Sequence, residues 1–196
     1  MTGRSPARKH AVRIVGGAAA LLLAGPAAAA YAEDGSAGRG GDGRGLTVDG
    51  RFAPASASVP PGAVSYDAEL VPAGSRIRVE QRSGAKGTTV TLKVRGLKPG
   101  HAFGVHVHEK PCGVDPQAAG AHYQHVKDPK LVNPDNEVWL DLTTDRNGDA
   151  WTSSHHSWGL PEGAANSVVL HREQSGAGER VGCFTVPFGD FRTGVK

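Results

Sequence analysis

The chain has 196 residues, with 22 basic and 19 acidic side chains and only two cysteines. Its formal charge of +3 sits at the N-terminus. Residues 1–32 hold Arg4, Arg8, Lys9 and Arg13 and no acid, so the remainder is at −1. No basic stripe of the kind nucleic-acid binding needs is left, and the length beyond the N-terminus suits one domain of ordinary size.

In chain order, residues 1–32 read as a secretory signal. A basic start is followed by an apolar, small-residue run from Ile14 to Ala30, and Ala30-Tyr31-Ala32 fits the A-x-A cleavage pattern. The run is too short and too rich in Gly and Ala for a transmembrane anchor, so the mature form is expected to have no membrane span. No cysteine lies near the cleavage point, which excludes a lipoprotein, and no Arg-Arg pair is present, which favours general secretion. Residues 33–63 read as a flexible Gly/Pro-rich linker. The folded domain is expected over 64–190, with a tail at 191–196. The protein is expected to be secreted or extracytoplasmic.

Short alternating segments follow, with turn residues between them. They are Tyr66–Leu70, Arg76–Glu80, Thr88–Val94, Ala102–His108, Val138–Thr143, Ala150–Ser154, Ser167–His171 and Gly182–Val186. About eight short strands without helical periodicity predict an all-β sandwich or barrel. Two long stretches, 109–136 and 155–166, do not read as strands, and loops of that length in a compact domain usually carry function.

The segment Gly104-Val105-His106-Val107-His108 is the most informative. In a strand alternate side chains share a face, so Phe103, Val105 and Val107 point one way and His106 and His108 the other. Two imidazoles one pleat repeat apart can converge on one metal ion. Cys112 and Cys183 lie in a chain bound for an oxidising compartment, where a disulfide is the natural reading in preference to two free buried thiols or a two-thiol metal site.

Further histidines occur in Ala121-His122-Tyr123-Gln124-His125, in the pair His155-His156, and at the end of Ser167-Val-Val-Leu-His171. Gly-Val-His106-Val-His108-Glu-Lys-Pro-Cys112, Ala-Gly-Ala-His122-Tyr, Ser-Val-Val-Leu-His171 and Gly-Glu-Arg180-Val-Gly-Cys183, with the Leu97-Lys98-Pro99-Gly100 turn, together resemble the copper/zinc superoxide dismutase family. The resemblance runs from about Val64 to Phe188. It implies a Greek-key β-barrel, copper held by His106, His108, His122 and His171, and a Cys112–Cys183 disulfide. It also implies an active-site arginine at Arg180, whose guanidinium would attract and orient superoxide. Imidazole nitrogens suit Cu(II), and the activity implied is dismutation of superoxide to dioxygen and hydrogen peroxide. In the family, the histidine matching His122 leaves the reduced copper and carries a proton.

Two departures stand out. Between His125 and Val138 there is no histidine to complete the family's zinc site, only carboxylates such as Asp128, Asp135 and Glu137. Eight residues separate His171 from Arg180, too few for the charged loop of zinc-containing members. Both resemble the copper-only bacterial branch. Zinc, through His122, His125 and a carboxylate, is possible but not favoured. Without it a carboxylate is expected to hydrogen-bond the far nitrogen of His122, Glu137 being the first candidate and Asp141 the second. His125, His155 and His156 receive no role. The expected function is an exported copper-dependent superoxide dismutase; the alternative is a copper-binding or copper-delivery protein on the same fold. The sequence leaves the oligomeric state open, and also whether the linker tethers the protein to a surface.

Overall fold

A computed structural model of the chain describes residues 45–55, 62–175 and 178–190. The segment read as the signal, much of the linker and the 191–196 tail lie outside the described residues. Among the described residues no helix is long and apolar enough to cross a membrane.

Among the described residues ten strands form two sheets: β1 (Gly45–Arg51), β2 (Ala53–Pro54), β3 (Ala63–Ser65), β4 (Arg76–Gly84), β5 (Gly87–Arg95), β6 (Ala102–His108), β7 (Leu142–Thr143), β8 (Ala150–His156), β9 (Ser167–His171) and β10 (Arg180–Thr185). One sheet has the order β1-β4-β5-β8 and the other β2-β3-β10-β9-β6-β7. All pairings are antiparallel except the short β2–β3 contact. The chain passes from one sheet to the other between β5 and β6 and returns between β7 and β8. The result is the all-β sandwich with Greek-key crossovers expected from the sequence.

The reading of 33–63 as a linker needs correction in its middle. Residues 45–51, assigned to the linker, pair with β4 over seven consecutive positions, from Gly45–Arg82 to Arg51–Arg76. Leu46 and Phe52 are buried in the core, which offsets the weak strand propensity of the glycines around them. Tyr66–Leu70, which reads as a strand, is a turn instead. The Asp67 carboxylate accepts from the amides of Glu69 and Leu70, and the Asp67 carbonyl accepts from Val71.

Strand β4 alternates buried and exposed residues, as expected where one face meets water. Strands β6 and β9 do not. Val105 and Val107 face the core, yet His106 and His108 are also fully buried, because the segment from 109 to 143 covers the outer face. Gly104 is part of this arrangement. A Cβ there would lie 2.3 Å from the carbonyl oxygen of Glu173, so only glycine lets the segment after β9 lie this close to β6.

Residues 137–143 run beside β6 with a ladder only at Leu142–Thr143. The ladder stops because Asp141 takes the Val105 amide with its side chain, at 2.9 Å. Backbone bonds Leu140 N to Val105 O and Val107 N to Val138 O keep the path extended. Val138, Leu140 and Leu142 are therefore buried in the core, and Glu137, Trp139 and Asp141 face the histidines.

Candidate metal centre

The structure brings together the four histidines that the resemblance implied. Ligand atoms of His106, His122 and His171 lie within 4.8 Å of one another, the one group of three or more such side chains that converges among the described residues. His108 joins it, with Nε2 3.4 Å from Nε2 of His171. Antiparallel pairing of β6 with β9 sets this proximity. The ladder joins Gly104 to His171 and His108 to Ser167, and an isolated bridge joins His108 to His122.

Three of the four rings are held so that a lone pair is free. The Gly120 carbonyl accepts from His108 Nδ1 at 3.1 Å, and the Gly178 carbonyl accepts from His171 Nδ1 at 2.8 Å. The Glu137 carboxylate accepts from His122 Nδ1 at 2.8 Å. In all three residues the proton is fixed on Nδ1 and Nε2 remains a donor of electrons. His106 is different, because neither of its ring nitrogens makes a hydrogen bond although the residue is fully buried. Asp141 Oδ1 lies 3.2 Å from His106 Nε2, at an angle that makes no hydrogen bond.

Burial, reinforced by the neighbouring rings, pushes His108 down to about 2 and His171 down to about 4. Burial also lowers His122, against the opposing pull of Glu137. The rings of His108, His122 and His171 are therefore neutral at physiological pH, the state a metal requires. Burial raises Glu137, but hydrogen bonds from Trp139, His122 and Gln124 outweigh it and hold the carboxyl below its ordinary value. Burial likewise raises Asp141, but the nearby His106 ring and hydrogen bonds from the Val105 and Ser175 amides outweigh it and hold the carboxyl below its ordinary value. An orphaned buried imidazole beside three oriented ones fits a metal ion well.

Arg180 begins β10 at the rim. Its Nη1 donates to the Pro116 carbonyl at 2.9 Å and its Nη2 to the Gly120 carbonyl at 2.6 Å. Both acceptors lie at the short 3₁₀ turn Pro116–Ala119, which the Cys112–Cys183 disulfide ties to β10. A cavity of about 450 Å³ opens there, lined by Tyr66, Gln117, His122, His171 and Arg180 among others. The guanidinium is thus fixed beside His122 and His171 in the lining of this cavity.

Of the two carboxylates predicted for His122, Glu137 lies against it, whereas Asp141 lies against His106. His125 is engaged elsewhere. Its ring stacks on Trp158 at 4.6 Å, and His156 stacks on the same indole at 4.1 Å. His155 Nδ1 lies 3.0 Å from Thr89 Oγ1. Sequence reasoning missed Trp139 and Gln124, both of which donate to Glu137. The period-two spacing of Glu137, Trp139 and Asp141 was the available signal.

The family model of copper/zinc superoxide dismutase matches residues 74–184. Among solved structures, the chain is similar to a double mutant of a SOD-like protein from Bacillus subtilis (17% identity, 56% of this chain and 88% of that chain, TM-score 0.44). It is also similar to the Cu/Zn superoxide dismutase from Brucella abortus (20% identity, 57% and 87%, TM-score 0.43). A SOD-like protein from Bacillus subtilis gives 16% identity over 64% and 97%, with a TM-score of 0.42. No curated protein matches. Because the family match spans more than half of its residues, the chain belongs to the copper/zinc superoxide dismutase family.

Proposed function

We propose that the chain is an exported, copper-dependent superoxide dismutase, with copper held by His106, His108, His122 and His171 and with Glu137 at His122 in place of zinc. The observation that carries this reading is His106, fully buried with neither ring nitrogen hydrogen-bonded, although Asp141 lies 3.2 Å from Nε2. Burying such a group costs about 1–3 kcal/mol unless something engages it, and imidazole donors suit copper.

When bound, copper would supply one-electron chemistry, oxidising one superoxide to dioxygen and reducing a second to hydrogen peroxide. The protein's part is to admit, orient and protonate. Arg180 has five N–H donors, and the two carbonyls leave others to draw a small anion into the cavity. His122 keeps a proton on Nδ1 against an ionised carboxylate, on the side away from the cluster. Export rests on the signal pattern at residues 1–32 and on the disulfide, which persists in oxidising compartments.

The test is metal content and superoxide turnover on one sample of mature protein, starting at Glu33, purified without metal and then loaded with copper. Stoichiometric copper without zinc, and turnover approaching the diffusional limit, is the expected result. Stoichiometric copper with negligible turnover would overturn the enzyme reading in favour of copper binding or delivery. Zinc taken up beside copper would overturn the role of Glu137.

A further inference from the structure

We infer that Trp139 is a positioning residue of the metal centre, fixing through its indole N–H the carboxylate that orients His122. The inference rests on the reading of His122 as a copper ligand.

Trp139 sits directly across from His106 through a backbone bridge, with its ring 5.0 Å from the imidazole. Its Nε1 donates to Glu137 Oε2 at 2.9 Å. His122 Nδ1 donates to the same oxygen at 2.8 Å, and Gln124 Nε2 donates to Oε1 at 2.9 Å. Glu137 is only 1% exposed, so these three donors account for its orientation without help from bulk water. Indole is a donor only, and its partner must be an acceptor. The indole N–H and His122 Nδ1–H meet on one oxygen, so fixing that oxygen fixes the acceptor towards which His122 Nδ1 points. His122 is thereby locked in the tautomer that presents Nε2 to the other rings. Trp139 also packs on His106, so one side chain braces two of the four histidines.

The test uses the metal-free protein and the His122 Nδ1–H resonance in NMR. Trp139→Phe keeps a ring against His106 but deletes the donor. The expected result is a shifted resonance that exchanges with water at least about tenfold faster, as for loss of one hydrogen bond to a charged group. In the copper-loaded variant, an altered copper hyperfine splitting in EPR is expected. An unchanged resonance and unchanged splitting would overturn the inference. If the variant does not fold, the unaltered protein still decides. The Trp139 indole proton and the His122 Nδ1 proton converge on one oxygen and must show a cross-relaxation peak; its absence overturns the inference. Failure to bind copper would instead refute the functional reading, whatever the resonance does.

Discussion

His108 and Arg180 donate to the same acceptor, the carbonyl oxygen of Gly120, at 3.1 and 2.6 Å. One peptide group therefore sets both the ring plane of a candidate metal ligand and the position of the guanidinium that lines the adjoining cavity. Arg180→Ala should leave copper bound, because His108 keeps its own bond to Gly120. Turnover at low salt should fall by about tenfold or more, in the range of electrostatic steering, and inhibition by small anions should weaken. Turnover identical to wild type at every ionic strength would remove the arginine from the mechanism.

Glu137 is buried and accepts from three donors. Glu137→Ala would leave the His122, Trp139 and Gln124 N–H groups without their partner. The metal-free variant should be destabilised by about 3 kcal/mol or more. Urea titration of the metal-free proteins checks this, and a loss below about 1 kcal/mol would mean that water replaces the carboxylate without cost.

The Cys112–Cys183 bond spans a sequence separation of 71. Replacing both cysteines by serine should cost about 4 kcal/mol on chain-entropy grounds. It should also loosen the turn that presents the Pro116 and Gly120 carbonyls to Arg180. Turnover per bound copper should therefore fall at temperatures where the variant is still folded. A variant that lost stability but kept full turnover per copper would confine the disulfide to a structural role.

His156 is buried against Trp158, and burial, with His155 nearby, pushes it down to about 4. An unfolded chain protonates the same side chain near its ordinary value of 6.5. Between these values the unfolded state binds more protons, so the stabilisation is complete above pH 6.5 and is lost as pH falls towards 4. The shift corresponds to about 3 kcal/mol. The metal-free His156→Phe variant should lose correspondingly less stability than wild type between pH 7 and pH 4. Parallel losses in the two proteins would contradict the assignment.

Much of this architecture was legible in the sequence because it depends on period-two patterning. Ser167–His171 was read with its observed bounds, and the two faces of Ala102–His108 were separated correctly. Strand β1 was missed because its two glycines suppress local strand propensity, whereas its burial comes from pairing with β4. Tyr66–Leu70 alternates like a strand but contains Asp67, whose side chain captures two amides and closes a turn. At the site, single-sequence reasoning supplied residue types but not how the loops pack. Asp141 lies against His106 instead of His122 because it also caps the Val105 and Ser175 amides. Stacking of His125 and His156 on Trp158 joins residues far apart in the chain, and no local pattern announces it.

From Phe103 onward strand β6 has no outward face: its core side carries Phe103, Val105 and Val107, and its other side is sealed beneath the 109–143 segment and, at Gly104, beneath the backbone of Glu173. In a comprehensive substitution scan this strand would appear as an unbroken block of intolerance, unlike the striped profile of β4. Positions 103, 105 and 107 would score as badly as the histidines between them, though for reasons of volume alone. Ranking residues here by sensitivity would merge scaffold with chemistry; titrating each variant with copper would pull them apart again.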